Sequence, residues 1–227
     1  MTQQIKISTV IPTKNEARMI SEIIRGVKKF SDEVLVVDGH STDDTARIAK
    51  DEGAKIVLDN SLGKGDAIRL AIRQAAGDII VFIDADGSHD PNDIPRLTKP
   101  IIDNEADLVL GSRLKGGSDE LGSNFSEFLR LWGGRVIALV INLRYSQKIT
   151  DYLNGFRAIR TSSARTLNLK ENQQTIEHEM AMESLRKKLR VIEIGTHEYK
   201  RRYGDSHISL LRHGPRFVYI LIKKLFF

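Results

Sequence analysis

The sequence predicts an α/β fold in which a mainly parallel sheet is covered by helices. Through the N-terminal half, short apolar runs typical of strands alternate with segments whose apolar residues recur every three or four positions. Such alternation is typical of repeated strand-helix-strand units. The predicted strands cover residues 5–11, 33–38, 54–58, 78–83 and 107–110, and the clearest helices cover residues 20–27 and 67–75.

The totals are consistent with one domain, or one core plus a small extension, that needs no disulfides. A chain of 227 residues can bury a substantial core. It contains no cysteine, which excludes disulfides, thiolate nucleophiles and cysteine zinc sites. The net charge of +5 suits a phosphorylated substrate, an anionic lipid or nucleic acid. The start of the chain lacks a signal-peptide pattern, and no apolar run approaches the roughly 20 residues that cross a bilayer.

The second half of the chain changes character after the Gly/Ser-rich residues 111–124, which are typical of a mobile loop. Residues 125–145 are apolar but interrupted by arginine and glycine, which indicates one or two amphipathic helices. A helix around residues 175–188 and a strand at residues 191–196 are predicted next. The last segment, from residue 210 onward, is both basic and apolar.

Three predicted strands end in polar loops, with the sequences IPTKNE, VVDGHS and IDADGSH. In open α/β sheets, ligands bind beyond the carboxyl ends of the strands. We therefore expect these loops to converge on one crevice. Ser41, with Asp44 three residues later, also predicts a helix start close to a capping box, and helix starts are favourable places for anions.

Asp84 and Asp86 are the strongest candidates for a metal site. If the strand continues through them, side chains two residues apart point to the same side and can share one cation. Carboxylate oxygens suit Mg²⁺ or Mn²⁺, which keep waters and take further ligands from substrate phosphates. A simple turn after the strand is the alternative. A calcium-binding EF-hand is excluded, because His89 and Pro95 stand where that loop needs glycine and glutamate.

The motifs IPTKNEA, VVDGHSTDDT, LGKGDAIRLA, FIDADGSHDP and GSR, in this order, resemble those of family 2 glycosyltransferases with a GT-A fold. The resemblance continues through DYLNGFRAIR, IEHEMAMESLRK and YKRRYGDSHISLLRHG, and there it is most similar to the dolichyl-phosphate or polyprenyl-phosphate mannose and glucose synthases. It implies a Rossmann-like, mainly parallel nucleotide-binding sheet flanked by helices, with C-terminal amphipathic helices. The implied domain spans residues 1–227, with a nucleotide-sugar-binding half at 1–113 and an acceptor-binding half with interfacial helices at 114–227.

The resemblance also implies a site for a nucleotide-linked sugar with a divalent cation, Mg²⁺ or Mn²⁺. The implied metal ligands are Asp84, Asp86 and Ser88, and Ser88 stands where the mannose synthases tend to have glutamine. An alternative for Lys64 is a solvated side chain at a helix start. The residues implied to bind the nucleotide sugar are Pro12, Lys14, Glu16, Val37, Asp38, Lys64, Asp84, Ala85, Asp86, Arg113, Arg201 and Arg202.

Catalytic and acceptor-binding residues are implied in the same way. Asp151 and Glu179 match acidic positions of related enzymes, where they would act as a base or orient the sugar. A helix-start carboxylate and a solvated helix face are the structural alternatives for them. His207 replaces a lysine of the late segment that closes over the phosphates in the family, and a tolerated surface residue is its alternative. The implied catalytic residues are Asp86, Asp151, Glu179 and Arg201, and the implied ligands of an acceptor phosphate are Arg113, Arg130, Ser206 and His207.

The implied reaction transfers a hexose from a UDP- or GDP-linked sugar to a polyprenyl (dolichyl) phosphate, with displacement at the anomeric carbon. A phosphate monoester, with a second pKa of about 6, is mostly dianionic at pH 7 and needs no general base.

Residues 217–222 are apolar and flanked by arginine and lysine, which suits an anionic membrane surface. We therefore expect a cytoplasmic protein, peripheral on the cytoplasmic face of the membrane. Packing against the core or a second subunit, in a homo-oligomer, is the alternative for this segment.

Other functions remain open at the level of the sequence. A family 2 transferase acting on a soluble hydroxyl acceptor or a growing glycan would share the donor site but would need a base. A nucleotidyltransferase typically has a different first loop, rich in glycine and arginine. A non-enzymatic, basic nucleic-acid-binding module is disfavoured by an aromatic content of 6%, dispersed basic residues and an acidic crevice, so we expect no nucleic-acid partner.

Overall fold

A computed structural model describes residues 4–120, 125–203 and 217–224, and for residues 125–131 it describes the backbone alone. Within these residues, seven strands form one sheet in the order β3-β2-β1-β4-β6-β5-β7. All neighbouring strands are parallel except β6, which is antiparallel to β4 and β5. The strands are β1 (Ile7–Thr13), β2 (Glu33–Asp38), β3 (Lys55–Leu58), β4 (Ile79–Phe82), β5 (Leu108–Ser112), β6 (Arg157–Arg160) and β7 (Val191–Gly195).

Helices cover both faces of this sheet. They are α1 (Ile20–Val27), α2 (Thr45–Asp51), α3 (Lys64–Gln74), α4 (Ile94–Ile102), α5 (Arg113–Gly116), α6 (Phe125–Tyr145), α7 (Thr161–Thr166), α8 (Ile176–Arg186) and α9 (217–224), with a short 3₁₀ helix at Pro91–Asp93. The predicted fold class, a mixed α/β protein with a mostly parallel sheet, is thereby confirmed.

Alternate residues of the central strands enter two separate apolar cores. Leu35 and Val37 of β2 pack in one core with buried residues of α3, α6 and α8. Val34 and Val36 pack in the other with α1 and α4. Successive side chains of a strand point to opposite faces, so a sheet covered on both faces needs strands that are apolar throughout. This is why the five N-terminal strands could be recognised as continuous apolar runs.

Two local predictions were wrong. The Ser41–Asp44 pair does not form a capping box: α2 begins at Thr45 without a side-chain cap, and the Ser41 hydroxyl donates to the carboxylate of Asp38 instead. The strand β4 ends at Phe82, so the condition under which Asp84 and Asp86 would share one side of a strand is not met. Their arrangement is set by the turn that follows.

Helix α8 is buried around its whole circumference, from Ile176 to Leu185. The alternative of a solvated face for Glu179 is therefore wrong. The buried acids are paired with cations: Glu179 lies 2.9 Å and Glu183 lies 2.7 Å from the ammonium of Lys224, which belongs to α9. These ion pairs attach α9 to α8, since an unpaired charge would be costly at such a depth.

Helix α6 is a single helix with apolar residues on two opposite sides. Ile137, Ala138 and Ile141 are buried in the core. On the other side the helix exposes a stripe at helical spacing; this outer stripe consists of Trp132, Val136, Leu139 and Leu143, which are 53%, 53%, 57% and 76% exposed. In the described part of the chain, none of the helices combines the length and the apolar character that a bilayer crossing requires.

His178 on α8 generates a prediction about stability. It is fully buried, and neither ring nitrogen has a hydrogen-bond partner among the described residues. Burial, and secondly the positive charge of Arg157, lowers the pKa of His178 from 6.5 to about 3. Below pH 6.5 the unfolded chain binds a proton at this residue and the folded protein does not. The free energy of unfolding therefore falls by up to about 1.4 kcal/mol for each pH unit below 6.5.

The substitution His178→Leu puts an apolar side chain of similar size in the core. It removes the titratable group and with it the loss of stability at low pH. We expect the variant to gain stability relative to the wild type as the pH falls from 7.5 to 5. Urea unfolding at several pH values measures the difference. If the free energies of unfolding of the variant and the wild type change equally with pH over this range, the lowered pKa of His178 is contradicted.

Candidate active site

One cavity of about 1420 Å³ opens beyond the carboxyl ends of β1, β2 and β4. Residues 12–18, at the end of β1 and directly after it, line the cavity together with Val37 and Gly39 at the end of β2 and residues 84–86, 88 and 89 after β4. The predicted convergence of three polar loops on one crevice is confirmed. The cavity exceeds the ~300–1,000 Å³ typical of a pocket for one small ligand, so there is room for two substrates.

Lys64 lies at the centre of the charged part of this cavity. Its ammonium is 2.6 Å from the Asp84 carboxylate and 2.8 Å from the Glu177 carboxylate. Gly63, with a φ of 109°, turns the chain into α3 so that the first residue of the helix, Lys64, faces the cavity. Burial alone would lower the pKa of Lys64, but Asp84 and Glu177 outweigh it and raise the pKa above its ordinary value. The alternative of a solvated lysine is wrong.

Asp86 has a cation of its own. Arg201, beyond β7, places its guanidinium 2.6 Å from one carboxylate oxygen of Asp86. The other oxygen accepts hydrogen bonds from the amide and the hydroxyl of Ser88, at 3.0 and 2.6 Å. Burial, and next the negative charge of Asp86, raises the pKa of the nearby Glu16. Each of the two predicted metal-binding carboxylates, Asp84 and Asp86, is thus balanced by a positive side chain in this state.

The fit to a divalent cation follows from the donor set. Within residues 4–120, 125–203 and 217–224, no group of three or more acidic or histidine side chains forms a ready-made metal site. Asp84 and Asp86 offer carboxylate oxygens and Ser88 a hydroxyl at the cavity wall. Mg²⁺ and Mn²⁺ commonly take one or two carboxylates and complete their coordination with waters and substrate phosphates. The residues present fit such a shared site and would not form a closed protein cage.

A second ion pair stands at the side of the cavity formed by α5. The guanidinium of Arg113 donates two hydrogen bonds to Asp151, at 2.7 and 3.0 Å, and a longer one of 3.4 Å to Glu198. This fork-to-carboxylate geometry is a strong form of ion pair. Burial alone would raise the pKa of Asp151, but Arg113 outweighs it and lowers the pKa below its ordinary value. Asp151 is therefore held ionised and oriented, which makes it a weak proton acceptor at neutral pH.

Most of the predicted site residues line this cavity. Asp38 and Arg202 do not line it: the Asp38 carboxylate accepts from the amide of Ser41, and Arg202 pairs with Glu22 on α1 at 2.9 Å. The side chain of Arg130, and the whole of Ser206 and His207, lie outside the described residues. The predicted residues on the cavity wall are Pro12, Lys14, Glu16, Val37, Lys64, Asp84, Ala85, Asp86, Ser88, Arg113, Asp151 and Arg201.

Glu179 does not line the cavity either. Its carboxylate accepts hydrogen bonds from the amides of Lys170 and Glu171, both at 2.8 Å, and pairs with Lys224. These contacts explain why Glu179 is buried, and they keep its carboxylate away from a substrate in the cavity. The cavity carboxylate of α8 is Glu177, which the sequence analysis did not single out.

Arg157, also unrecognised in the sequence, organises the wall around Glu177. It is 1% exposed, and its guanidinium donates to the backbone carbonyls of Asn154 at 3.0 Å, Tyr152 at 3.2 Å and Glu177 at 2.7 Å. Burial lowers the pKa of Arg157 to about 10. Because all these bonds go to backbone atoms, Arg157 ties the loop before β6 to the start of α8. The motif NGFR holds both Asn154 and Arg157, and this was the available signal.

Gly155, in the same motif, gives a second prediction. A Cβ atom there would stand 2.8 Å from the Asp84 carboxylate and 3.3 Å from the ammonium of Lys64. The substitution Gly155→Ala should therefore push these side chains apart and lower the free energy of unfolding by about 1–3 kcal/mol. Thermal and urea unfolding measure this cost. An unchanged unfolding midpoint would mean that Asp84 is not held against this backbone.

Comparisons with known proteins agree with this architecture. The model of the family described as "Glycosyl transferase family 2" matches residues 8–167. The glycosyltransferase AglJ of Haloferax volcanii is 30% identical over 214 residues, which are 92% of this chain and 68% of AglJ. An undecaprenyl-phosphate mannosyltransferase of Micrococcus luteus is 28% identical over 219 residues, covering 90% of this chain and 88% of that protein.

Among solved structures, glucosyl-3-phosphoglycerate synthase of Mycobacterium tuberculosis, in complex with Mn²⁺, UDP and phosphoglyceric acid, matches with a TM-score of 0.78. The match covers 98% of this chain and 79% of that one at 22% identity, which shows a shared fold. The predicted GT-A fold is thereby confirmed. The family model covers most of the sheet and the loop that bears Asp84 and Asp86, so this chain belongs to glycosyltransferase family 2.

Proposed function

We propose that this protein transfers a hexose from a UDP- or GDP-linked sugar to the phosphate of a polyprenyl phosphate. The observation that carries the proposal is the composition of the cavity. Its wall combines a charged side, around Asp84 and Asp86, with a mainly apolar side formed by α6 and α9, to which Arg135 adds one charge. The apolar residues of α6 and α9 on the cavity wall are Val136, Ile137, Phe217, Val218 and Leu221.

The donor would bind at the charged side. Its nucleoside would lie among Pro12, Lys14 and Val37, and its diphosphate would lie near Asp84 and Asp86. A divalent cation held by these carboxylates would stabilise the charge that develops on the departing diphosphate. Lys64 and Arg201, which now neutralise the two carboxylates at 2.6 Å, would be available to the diphosphate oxygens once the cation takes over that role.

In the proposed reaction, a phosphate oxygen of the acceptor attacks the anomeric carbon of the donor sugar. The bond from that carbon to the diphosphate breaks, and the nucleoside diphosphate leaves with the electron pair. No proton has to be removed, because the attacking phosphate is mostly dianionic at pH 7. The low pKa of Asp151 supports this choice of acceptor, since a hydroxyl acceptor would need a stronger base.

The apolar side suits a lipid acceptor. Phe217 and Leu221 face the cavity and pack on the core, while Val218, Tyr219 and Ile222 of the same helix are 49%, 60% and 50% exposed. The outer stripe of α6 adds a further apolar surface. Apolar helices with basic residues such as Lys223 suit the interface of an anionic membrane. We infer peripheral contact with the cytoplasmic face of a membrane, and the name of the Micrococcus luteus relative, an undecaprenyl-phosphate mannosyltransferase, supports a polyprenyl acceptor.

A transfer assay in detergent tests the proposal. UDP-glucose and GDP-mannose are offered with Mg²⁺ or Mn²⁺, with and without polyprenyl phosphate. We expect lipid-linked sugar from one donor, and no product from the Asp86→Ala variant, which keeps the fold but loses a carboxylate of the proposed cation site. Sugar transfer to soluble hydroxyl compounds, with none to the lipid, would overturn the acceptor and keep the family.

Membrane contact gives a separate prediction. Leu143→Glu places a charge in the outer stripe at a position that is 76% exposed, so folding should be little affected. We expect binding to anionic lipid vesicles to fall several-fold, because a charge opposes insertion of an apolar face. The matched control is Leu58→Glu at the far edge of the sheet, 58% exposed and outside the stripe. Equal binding by both variants would contradict contact through α6.

A further inference from the structure

Two segments of the chain pair with each other beside the cavity, and together they are called the clasp: residues 117–120, after α5, and residues 197–201, after β7. The amide of Glu198 donates to the carbonyl of Gly117 at 3.0 Å. The amide of Asp119 donates to the carbonyl of Glu198 at 2.8 Å. These two backbone bonds fix how the two segments lie against each other.

The clasp carries the cation that neutralises Asp86. The guanidinium of Arg201 is 2.6 Å from the Asp86 carboxylate, and the amide of Arg201 donates to Oε1 of Glu120 at 3.1 Å. The amide of Lys200, directly before it, donates to Oδ2 of Asp119 at 3.2 Å. The carboxylates of Asp119 and Glu120 therefore hold the backbone from which the side chain of Arg201 reaches the loop after β4.

His197 closes the other end of the clasp. Its Nδ1 is 3.1 Å from the carbonyl of Gly116, and its Nε2 is 2.9 Å from Oδ1 of Asp119. A backbone carbonyl and an ionised carboxylate only accept hydrogen bonds, so each contact needs an N–H on the ring. A neutral imidazole has one N–H and the imidazolium has two. Only a protonated His197 therefore makes both bonds.

The groups around the ring favour this proton. The hydrogen bond to Asp119, and secondly the one to the carbonyl of Gly116, raises the pKa of His197 above its ordinary value of 6.5, and the charge of Glu198 acts in the same direction. The ring of Tyr199 packs on it, with centroids 4.6 Å apart. The side chains of His197 and Asp119 are 36% and 47% exposed, so solvent screens the pair and its effect is modest.

We propose that His197 and Asp119 are positioning residues for Arg201: protonated His197 holds Asp119, and Asp119 holds the backbone that presents Arg201 to the donor diphosphate. This inference rests on the proposed function, because it assumes a diphosphate beside Arg201. The raised pKa of His197 belongs to the folded protein, so the clasp is complete below pH 6.5 and loses one bond as the pH rises through that raised pKa. Arg201 is then held less firmly, and the affinity for a nucleoside diphosphate falls.

A double-mutant cycle tests whether Asp119 acts through Arg201. The affinities for UDP and GDP are measured by calorimetry with Mg²⁺ and without an acceptor, at pH 6. For Asp119→Ala we expect the affinity to fall about two- to fivefold, the range of an exposed ion pair. In the Arg201→Ala background the same substitution should leave the affinity unchanged, since the residue that Asp119 positions is absent.

The matched control for Asp119→Ala is Asp103→Ala. It removes a carboxylate that is 36% exposed and pairs with Lys99 at 2.6 Å at the end of α4, on a residue outside the cavity wall. Its affinities for both nucleotides should equal those of the wild type.

The pH profile separates this role from a merely structural one. His197→Gln keeps one donor for Asp119 but cannot gain a charge. At pH 6 we expect the wild type to bind the nucleotide about two- to fivefold more tightly than His197→Gln, and this ratio should approach one by pH 8.5. Taking the ratio at each pH cancels the titration of the diphosphate itself.

The outcomes separate the clasp from the wider proposal. Equal effects of Asp119→Ala with and without Arg201 would show that Asp119 does not act through Arg201, and would overturn the inference. A ratio of wild type to His197→Gln that stays constant with pH would overturn it as well. In both cases, sugar transfer by the wild type would leave the proposed function standing. A wild-type protein that binds neither nucleotide would overturn both.

Discussion

The ammonium of Lys64 holds together three parts of the chain that are distant in sequence. It is the first residue of α3, and it contacts Asp84 after β4 and Glu177 on α8. Two buried carboxylates so close to each other would repel strongly without a cation between them. The shape of the cavity floor therefore depends on this one positive charge, and so does the ionised state of Asp84, whose pKa it lowers against the opposing effect of burial.

The same electrostatic rule governs the second half of the molecule. Helix α8 carries Glu177, Glu179 and Glu183 in the interior, where an unpaired charge is strongly destabilising. Glu177 pairs with Lys64 of α3 and Glu179 with Lys224 of α9, whereas Glu183 pairs both with Lys224 and with Arg186 of α8 itself. A stable α8 thus requires both helices in place. The polar interior therefore couples the charged part of the cavity wall to α9, which lines the same cavity.

The N-terminal sheet could be predicted because its strands are apolar runs, and a parallel sheet buried on both faces demands such runs. The strand β6 could not, because RAIR begins and ends with arginine. Arg157 is buried only because backbone carbonyls of Asn154, Tyr152 and Glu177 receive its hydrogen bonds, and the sequence does not reveal those partners. Helix α8 was predicted, but its complete burial could not be, for the same reason: IEHEM is compatible with a solvated face unless Lys64 and Lys224 are known to be near.

Part of the candidate site could be predicted from the sequence in the same way, and part could not. The loops after β1, β2 and β4 could be predicted from the geometry of parallel sheets, whose strand ends meet at one edge. Glu177 could not be distinguished from Glu179 by sequence, since both are acidic residues in the first turn of α8. The structure separates them by one side chain's direction: Glu177 reaches Lys64 in the cavity, and Glu179 reaches the amides of Lys170 and Glu171.

The outer stripe of helix α6 is exposed, although the opposite side of the helix packs on the core. A helix with apolar residues on two opposite sides is normally covered on both, yet Leu139 and Leu143 of the outer stripe are 57% and 76% exposed. Ile137, on the opposite side of α6, is buried at the cavity wall, and Val136 at the edge of the outer stripe lines the same cavity. On the proposed function both sides have an occupant: the prenyl chain on the inner side and the membrane on the outer one. A lipid acceptor would then pass its phosphate to the charged loops while its tail stays in an apolar environment throughout, which a cavity isolated from the outer stripe would not allow.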